Sequence, residues 1–326
     1  MESYDVAIVG AGGTGLAASM YAARLELKTV VFGSSNGTEL PVGGLITTTH
    51  IVENYPGFKS ITGVELAKKI EEHARDYPLV NIKQEIVENV NINKIKKNKI
   101  VDCFTIKTNK SEYRAGAVIF ATGRKIRKLE IGGSKEFENK GVGYCALCDG
   151  PLYKEKIVAV IGGSDAAVVE ALILCEYAKK VYIIYRGDKI RAEPANLEKV
   201  KANKKITVIN NTNITKINGK NFVTSVKLDK SYKGKKELKV DGVYVAIGSD
   251  PCTKLAKKLG VKLNKKGEII INHENCETNL SGVYAAGDVA NKSFKQLITG
   301  VAEGCTAAHS AYEYLSRKKL KVCKEE

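Results

Sequence analysis

The feature that most constrains this chain is one structural plan written twice. "YDVAIVGAGGTGLAASMYAAR" (residues 4–24) and "EKIVAVIGGSDAAVVEALILCEY" (155–177) share it. Each runs from a short β-branched segment through a glycine turn into a small-residue stretch with apolar positions at helical spacing. A strand that hands over to a helix within a few residues predicts βαβ units around a parallel sheet. Two well-separated copies in 326 residues, a length that holds two ordinary domains, predict one such sheet per domain.

The first turn carries chemistry as well as topology. Gly10, Gly12 and Gly15 give G-x-G-x-x-G directly after the strand. Gly10 serves the tight turn, Gly12 lets the backbone approach a pyrophosphate, and Gly15 lets the helix pack on the strand, so that the helix N-terminus meets the phosphates. One expected part is missing, because the second strand, "TVVFG" (29–33), ends in Gly33 rather than in an acid for a ribose. In the second copy Gly162, Ser164 and Ala167 occupy the three fingerprint places, followed by a strand that ends at Tyr185-Arg186, with Arg191 beyond it. Arginines there, with no acid at the strand end, suit a 2′-phosphate and hence NADPH over NADH. Gly187 stands where a further arginine would strengthen that pattern.

A third element, "NLSGVYAAGDVAN" (279–291), runs an apolar strand into Gly287-Asp288, a carboxylate suited to polyol hydroxyls beside a glycine that allows close backbone approach. The stretch 293–315 after it is expected to be a helix with a small-residue face, its N-terminus placed to stabilise negative charge on a cofactor ring. One nucleotide site is thus assembled from both ends of the chain around an inserted second one. The expected fold class is α/β, with two Rossmann-like three-layer nucleotide-binding domains, 1–119 with 249–326, and 120–248. The crossings are expected near "VIFATG" (118–123) and "VYVAIGSDP" (243–251). Segments 79–114 and 205–243 alternate apolar and polar positions and are expected to be antiparallel hairpins or meanders. The last ten residues, "RKKLKVCKEE", are expected to be a solvated tail.

"CALCDG" (145–150) places Cys145 and Cys148 one helical turn apart, followed by Asp149. A structural zinc site needs four ligands, usually two such pairs, and the four histidines (His50, His73, His273, His309) lie far apart in sequence, so no metal is expected. A purely structural staple gains little from so short a loop. A redox disulfide fits best, since a Cys-X-X-Cys setting lowers one thiol pKa to about 7 and exchange proceeds by thiolate attack. Asp149 is then the natural proton donor or acceptor, or otherwise a helix cap. The other six cysteines are scattered singly and are expected to be buried thiols of a reducing cytosol.

The formal charge of +16 raises the question of a nucleic-acid partner. Of 52 basic residues only eight are arginine, and no arginine cluster is interleaved with aromatics as a base-stacking surface requires. Lysine-rich solvated faces account for the charge, with steering of an acidic protein partner as the alternative. No apolar run reaches the ~18–20 residues that cross a bilayer, and the strand-like start leaves no room for a signal peptide, so a cytoplasmic location is expected.

Along nearly its whole length the chain resembles the low-molecular-weight thioredoxin reductases. The N-terminal fingerprint, "GGLITTTHIVENYPGF" (43–58), "ATG" (121–123), "CALCDG", the second fingerprint, "YRGDKIRAE" (185–193), "TNLSGVYAAGDV" (278–289) and "KQLITGVAEGC" (295–305) follow in the family's order. The resemblance implies FAD held by Gly10, Gly12, Gly15, Gly44, Asn54, Asp288 and Gln296, with Gly13, Gly43, Gly123, Gly287 and Lys295 in the same segments. It implies NADPH in the inserted domain, at Gly162, Ser164, Asp165, Ala167, Arg186 and Arg191. It also implies that Cys148 faces the flavin, that Cys145 exchanges with thioredoxin or a thioredoxin-like or glutaredoxin-like protein, that Asp149 handles the thiol proton, and that the enzyme is a homodimer. The chain departs from the family at Leu147 in the CATCDG motif, at Leu45, in a longer loop at 33–44, and at Ser164, Tyr185 and Gly187 on the NADPH side. Those last changes keep two alternatives open, the same reductase fed by reduced ferredoxin or a deazaflavin, and a flavin-dependent dithiol oxidase.

Overall fold

The computed structural model describes residues 1–34, 42–49, 52–94, 102–144 and 146–317. The chain divides into two compact units, Met1–Lys125 with Asp250–Glu326, and Ile126–Ser249. Among the described residues no helix is long and apolar enough to cross a membrane.

Unit 1 is built on a mixed seven-stranded sheet. Its strands include β1 (Glu2–Val9), β2 (Thr29–Gly33), β3 (Val80–Gln84), β4 (Val87–Lys94), β5 (Asp102–Thr108) and β6 (Glu112–Phe120), in the order β3-β2-β1-β6-β5-β4. β1 pairs in parallel with both β2 and β6, and β2 with β3. The expected meander over 79–114 is therefore right only for β4, β5 and β6, which pair antiparallel. β3 instead joins the parallel edge after helix α2 (Gly63–Arg75), whose Thr62–Glu65 capping box fixes its start. Alternation alone does not tell a parallel edge strand from a hairpin arm.

Helix α1 (Gly13–Arg24) lies against α7 (Leu297–Arg317) through small residues: a Cβ on Gly304 would collide with the Thr14 carbonyl, and Ala307, Ala308 and Ala311 are fully buried. α7 begins four residues later than 293. Around this pair the core gathers Tyr4, Ile8, Leu16, Phe104 and Phe120, all buried.

Unit 2 holds a parallel five-stranded sheet in the order β11-β10-β9-β15-β8. These strands are β8 (Val142–Gly143), β9 (Ile157–Ile161), β10 (Lys180–Ile184), β11 (Ile206–Ile209) and β15 (Gly242–Val245). One face carries α3 (Ala146–Asp149), α4 (Asp165–Tyr177) and α5 (Pro194–Ala202), packed through Val158, Val160, Val168 and Leu174. The other face is covered by an antiparallel meander of β12 (Ile214–Gly219), β13 (Val223–Tyr232) and β14 (Lys235–Lys239), through Ile217, Val226 and Leu228. The expected meander over 205–243 is thus confined to these three strands, because β11 and β15 add to the parallel sheet.

Where the chain leaves unit 1 and returns to it, short strands β7 (Arg124–Ile126) and β16 (Ser249–Pro251) pair with each other. Helix α6 (Lys254–Leu259) and strand β17 (Val283–Ala285), which pairs in parallel with the end of β6, follow. Tail residues 318–326 lie outside the described residues.

Candidate active site

A cavity of about 690 Å³ opens in unit 1 at the C-terminal ends of β1, β2 and β6, where parallel sheets place their ligands. The glycines of the first turn divide by what surrounds them. A Cβ on Gly10 would collide with the Ala121 carbonyl, and one on Gly15 with the Gly10 carbonyl, so both are fixed by the turn itself. Gly12 differs: a Cβ there would approach nothing closer than 3.8 Å, and the residue lines the cavity. Gly123, also on the wall and with φ +61°, has nothing within 4 Å of a Cβ position. Packing leaves room for a side chain at both places: nothing in the protein forces Gly12 to be bare, whereas at Gly123 the positive φ itself favours glycine, and both leave open wall along the cavity.

Anion chemistry fits the same wall. α1 has Gly12 as N-cap with no side-chain cap bond and no acid in its first turn, which leaves its amides directed at the cavity. Gly43 joins this wall through its N–H to the Ala11 carbonyl (2.8 Å), and Gly13 and Gly44 line it too. From the other end of the chain come Asp288, Lys295 and Gln296. Asn54 Nδ2 donates to Gln296 Oε1 at 3.2 Å, which joins two expected contacts 242 positions apart. Gly287, at φ +80°, sits over Thr14, whose Oγ1 would be 2.6 Å from a Cβ, and its N–H donates to Glu303 (2.7 Å).

Sequence reasoning missed a charged cluster on the cavity rim. The buried Glu268 carboxylate pairs with Arg124 (3.1 Å) and Lys295 (3.2 Å), and accepts from Asn264 Nδ2 (2.9 Å). Burial opposes its ionisation, yet hydrogen bonds from Asn264 and Lys295 and the charges of Lys295 and Arg124 outweigh this and hold it below the usual carboxylate range. Lys295 also donates to the Asp288 and Ala290 carbonyls (3.1 and 2.7 Å), so it orders the loop that presents Asp288. Arg124 carried no motif signal, and Thr14 and Thr122, although inside the first fingerprint and the ATG segment, were given no role there; their place beside the glycines marks them.

The second turn is built differently. Gly162, at φ +147°, faces the Ala246 carbonyl, and Ala167 is buried behind it. The Tyr185 ring lies between Gly163 and Gly187: a Cβ on either glycine would run into it. Arg191 closes the arrangement, its backbone N–H on the Gly163 carbonyl (2.6 Å) and its guanidinium on the Tyr185 hydroxyl (3.1 Å). Arg186, Arg191 and the N-cap Ser164 are exposed at this turn, a donor set that fits a phosphate-bearing ligand. Asp165, expected at the same ligand, has its Oδ1 on the Glu193 N–H (2.9 Å) and on Asn196 Nδ2 (3.0 Å), where it anchors the start of α5.

Of the cysteine pair, Cys145 lies outside the described residues, as does the side chain of Cys148, whose backbone is in α3. Asp149 ends that single turn. Its Oδ2 is 3.0 Å from where a Gly143 Cβ would stand, so the glycine on β8 leaves the space that the acid enters. Tyr244 is buried beside it, with Tyr153 edge-on at 5.5 Å. Burial, with the charge of Asp149, raises the Tyr153 hydroxyl above its ordinary range. Elsewhere Cys175, Cys276 and Cys305 are free thiols, whereas Cys103 is disulfide-bonded, which corrects the expectation of an isolated thiol. Sequence spacing does not reveal a pairing between distant positions.

The pyridine nucleotide-disulphide oxidoreductases match residues 4–304 of this chain. The thioredoxin reductase of Bacillus subtilis is 37% identical over 314 residues, 96% of this chain and 95% of that one. A 34.2 kDa protein in the rubredoxin operon of Clostridium pasteurianum is 40% identical over 318 residues, 97% and 99% of the two chains. The crystal structure of Lactococcus lactis thioredoxin reductase superposes with a TM-score of 0.88 at 34% identity, covering 96% of this chain and 99% of that one. For T. acidophilum thioredoxin reductase the values are 0.84, 37%, 95% and 98%. The chain belongs to the pyridine nucleotide-disulphide oxidoreductases and, within them, to the low-molecular-weight thioredoxin reductases. It is accordingly an oxidoreductase with two Rossmann-like domains, of a class that uses FAD and NADPH.

Proposed function

We propose that this chain carries two electrons from NADPH through FAD to the Cys145–Cys148 disulfide and on to the disulfide of thioredoxin or a thioredoxin-like protein. The observation that carries this reading is the open glycine wall of the first cavity, Gly12 and Gly123, in a chain whose sequence places a Cys-X-X-Cys motif directly before Asp149, the last residue of α3. FAD, when bound, supplies the relay between a two-electron hydride donor and a dithiol. Gly12, Gly13 and the α1 amides are assigned to its pyrophosphate, Asp288 to its polyol hydroxyls, and Asn54 with Gln296 to orienting it. Ser164, Arg186 and Arg191 are assigned to NADPH in the second unit.

The reduced pair then acts by thiol–disulfide exchange. Cys145, as thiolate, attacks one sulfur of the partner disulfide, and the partner's other sulfur leaves and is protonated. Cys148 attacks Cys145 in the mixed disulfide and releases the partner's second thiolate, which restores the Cys145–Cys148 bond. Asp149 takes the proton from the attacking thiol and returns it to the departing one. The enzyme is proposed to be cytoplasmic, and homodimeric in keeping with the family resemblance.

The test is reduction of insulin disulfides by this enzyme with NADPH, with and without a thioredoxin. Turnover that needs both, and that vanishes in Cys145→Ser, supports the proposal. Turnover with oxygen alone at comparable rate overturns it in favour of an oxidase.

A further inference from the structure

The exchange mechanism uses the two cysteines and Asp149 and leaves without a role a second acid that bonds the backbone between them. Glu170 projects from the middle of α4, and its Oε2 accepts a hydrogen bond from the Ala146 N–H at 2.5 Å. Ala146 follows Cys145 and opens α3, so this bond ties the backbone between the two cysteines to the helix that covers the sheet. Burial raises the carboxyl to about 7; the Ala146 N–H opposes that and the neighbouring Asp149 adds to it. The groups that face it are Asp149 from α3 and Tyr244 from β15, with Tyr153 behind Tyr244, and none of these is a cation. Burial among Tyr153, Asp149 and Glu170 pushes the Tyr244 hydroxyl far above its ordinary range, so it stays neutral.

A backbone N–H needs only an acceptor, and a glutamine would supply one at a smaller desolvation cost than an acid. A carboxyl at this place adds a group that changes charge in the working pH range beside a dithiol. Reduction breaks the sulfur–sulfur bond and delivers two electrons to the pair. When one sulfur takes a proton and the other remains a thiolate, one negative charge is gained in the motif whose Ala146 N–H Glu170 holds and whose helical turn Asp149 ends. A proton taken from solvent by Glu170 offsets that charge.

We propose that Glu170 is a positioning residue for the Cys145–Cys148 pair: it holds the backbone at Ala146, and its protonation compensates the charge of the reduced dithiol. The inference rests on the assignment of Cys145–Cys148 as the redox pair.

The test follows alkylation of Cys145 by iodoacetamide from pH 5.5 to 9. Holoenzyme is reduced with a dithiol and desalted anaerobically, and labelling is read by mass spectrometry in the wild type, Glu170→Gln and Glu170→Ala. Below pH 6, where Glu170 is neutral, the Gln variant and the wild type are expected to react alike. Between pH 7 and 8 the variant is expected to react roughly twofold faster, because no carboxylate then opposes formation of the thiolate, and the two rates are expected to converge again towards pH 9, where both thiols are ionised. A ratio that is the same at every pH overturns the charge role. Turnover with thioredoxin is expected to fall about tenfold or more in Glu170→Ala and to return to within about threefold of wild type in Glu170→Gln, which keeps an acceptor for the Ala146 N–H. Glu170→Ala with wild-type turnover, or Glu170→Gln as impaired as Glu170→Ala, overturns the positioning role. Should Cys145 and Cys148 of the wild type show no reduction-dependent labelling at all, the redox-pair assignment itself fails, which is distinct from a flat ratio.

Discussion

The turns at Gly10–Gly15 and Gly162–Ala167 begin from one plan and end with different surroundings. Each opens on a glycine that a facing carbonyl forces, Ala121 for Gly10 and Ala246 for Gly162. From there they diverge. In the first, Gly12 and Gly123 leave bare backbone along a cavity, and α1 begins without an acid in its first turn. In the second, a tyrosine ring fills the space over Gly163, and the first turn of α4 carries Asp165. The contrast teaches that a fingerprint glycine has two separable roles, making the turn and admitting the ligand. In the proposed reading the first turn keeps both, while the second keeps the turn and presents exposed side chains, Ser164, Arg186 and Arg191, to its ligand.

The largest expected effect separates the two units functionally. Cys148→Ser should lower thioredoxin-linked turnover by about a thousandfold or more and leave reduction of the bound flavin by NADPH at its wild-type rate, as stopped-flow absorbance would show. Loss of both together would mean that the cysteine supports the flavin site structurally. The roles of the glycines come next. Gly15→Ala drives a Cβ into the Gly10 carbonyl and should cost more than about 3 kcal/mol, enough to prevent soluble expression. Gly12→Ala has room within the protein; the flavin-free protein should lose less than about 1 kcal/mol, while FAD affinity falls about ten- to a hundredfold. Equal stability losses in the two variants would break the distinction between turn-making and ligand-admitting glycines.

A third test lies in the interior of unit 2. Because the folded-state pKa of Glu170 is raised to about 7 from 4.5, the unfolded chain binds fewer protons at this site between those values. Stability from this group is therefore present below pH 4.5 and declines as pH rises to 7. Glu170→Gln lacks that slope, so its stability relative to wild type should grow across this window by at most about 3 kcal/mol. Denaturant melts at pH 4.5, 6 and 7.5 would show it, and parallel curves would contradict it. The smallest effect is at the exposed arginines: Arg191→Ala should raise the NADPH KM about five- to tenfold and leave the NADH KM unchanged. An equal change for both nucleotides would assign Arg191 to holding Tyr185 rather than to a phosphate.

Much of this architecture was legible from residues 4–24 and 155–177, because strand–glycine–helix handovers leave few topologies open. The cavity wall was legible too, since Gly12 and Asp288 stand in motifs with a physical reason for their residue types, while Gln296 came from the family resemblance alone. The Glu268 cluster was not: Arg124, Glu268 and Lys295 meet only after the chain returns from its insertion, and no local period records that. β3 was misjudged because a short alternating run reads alike in a parallel edge and a hairpin. Tyr185 could be seen as a departure from the family pattern, but its place across two glycines depends on the β10 strand end and had no sequence signature.

The most direct test of the account is anaerobic titration of the FAD-loaded enzyme with NADPH, followed by an oxidised thioredoxin. The account predicts bleaching of the flavin by micromolar NADPH and full return of its colour on addition of the thioredoxin. A flavin that stays oxidised in NADPH, yet is bleached by reduced ferredoxin, would contradict it and would mean that the covered second turn no longer serves a nucleotide.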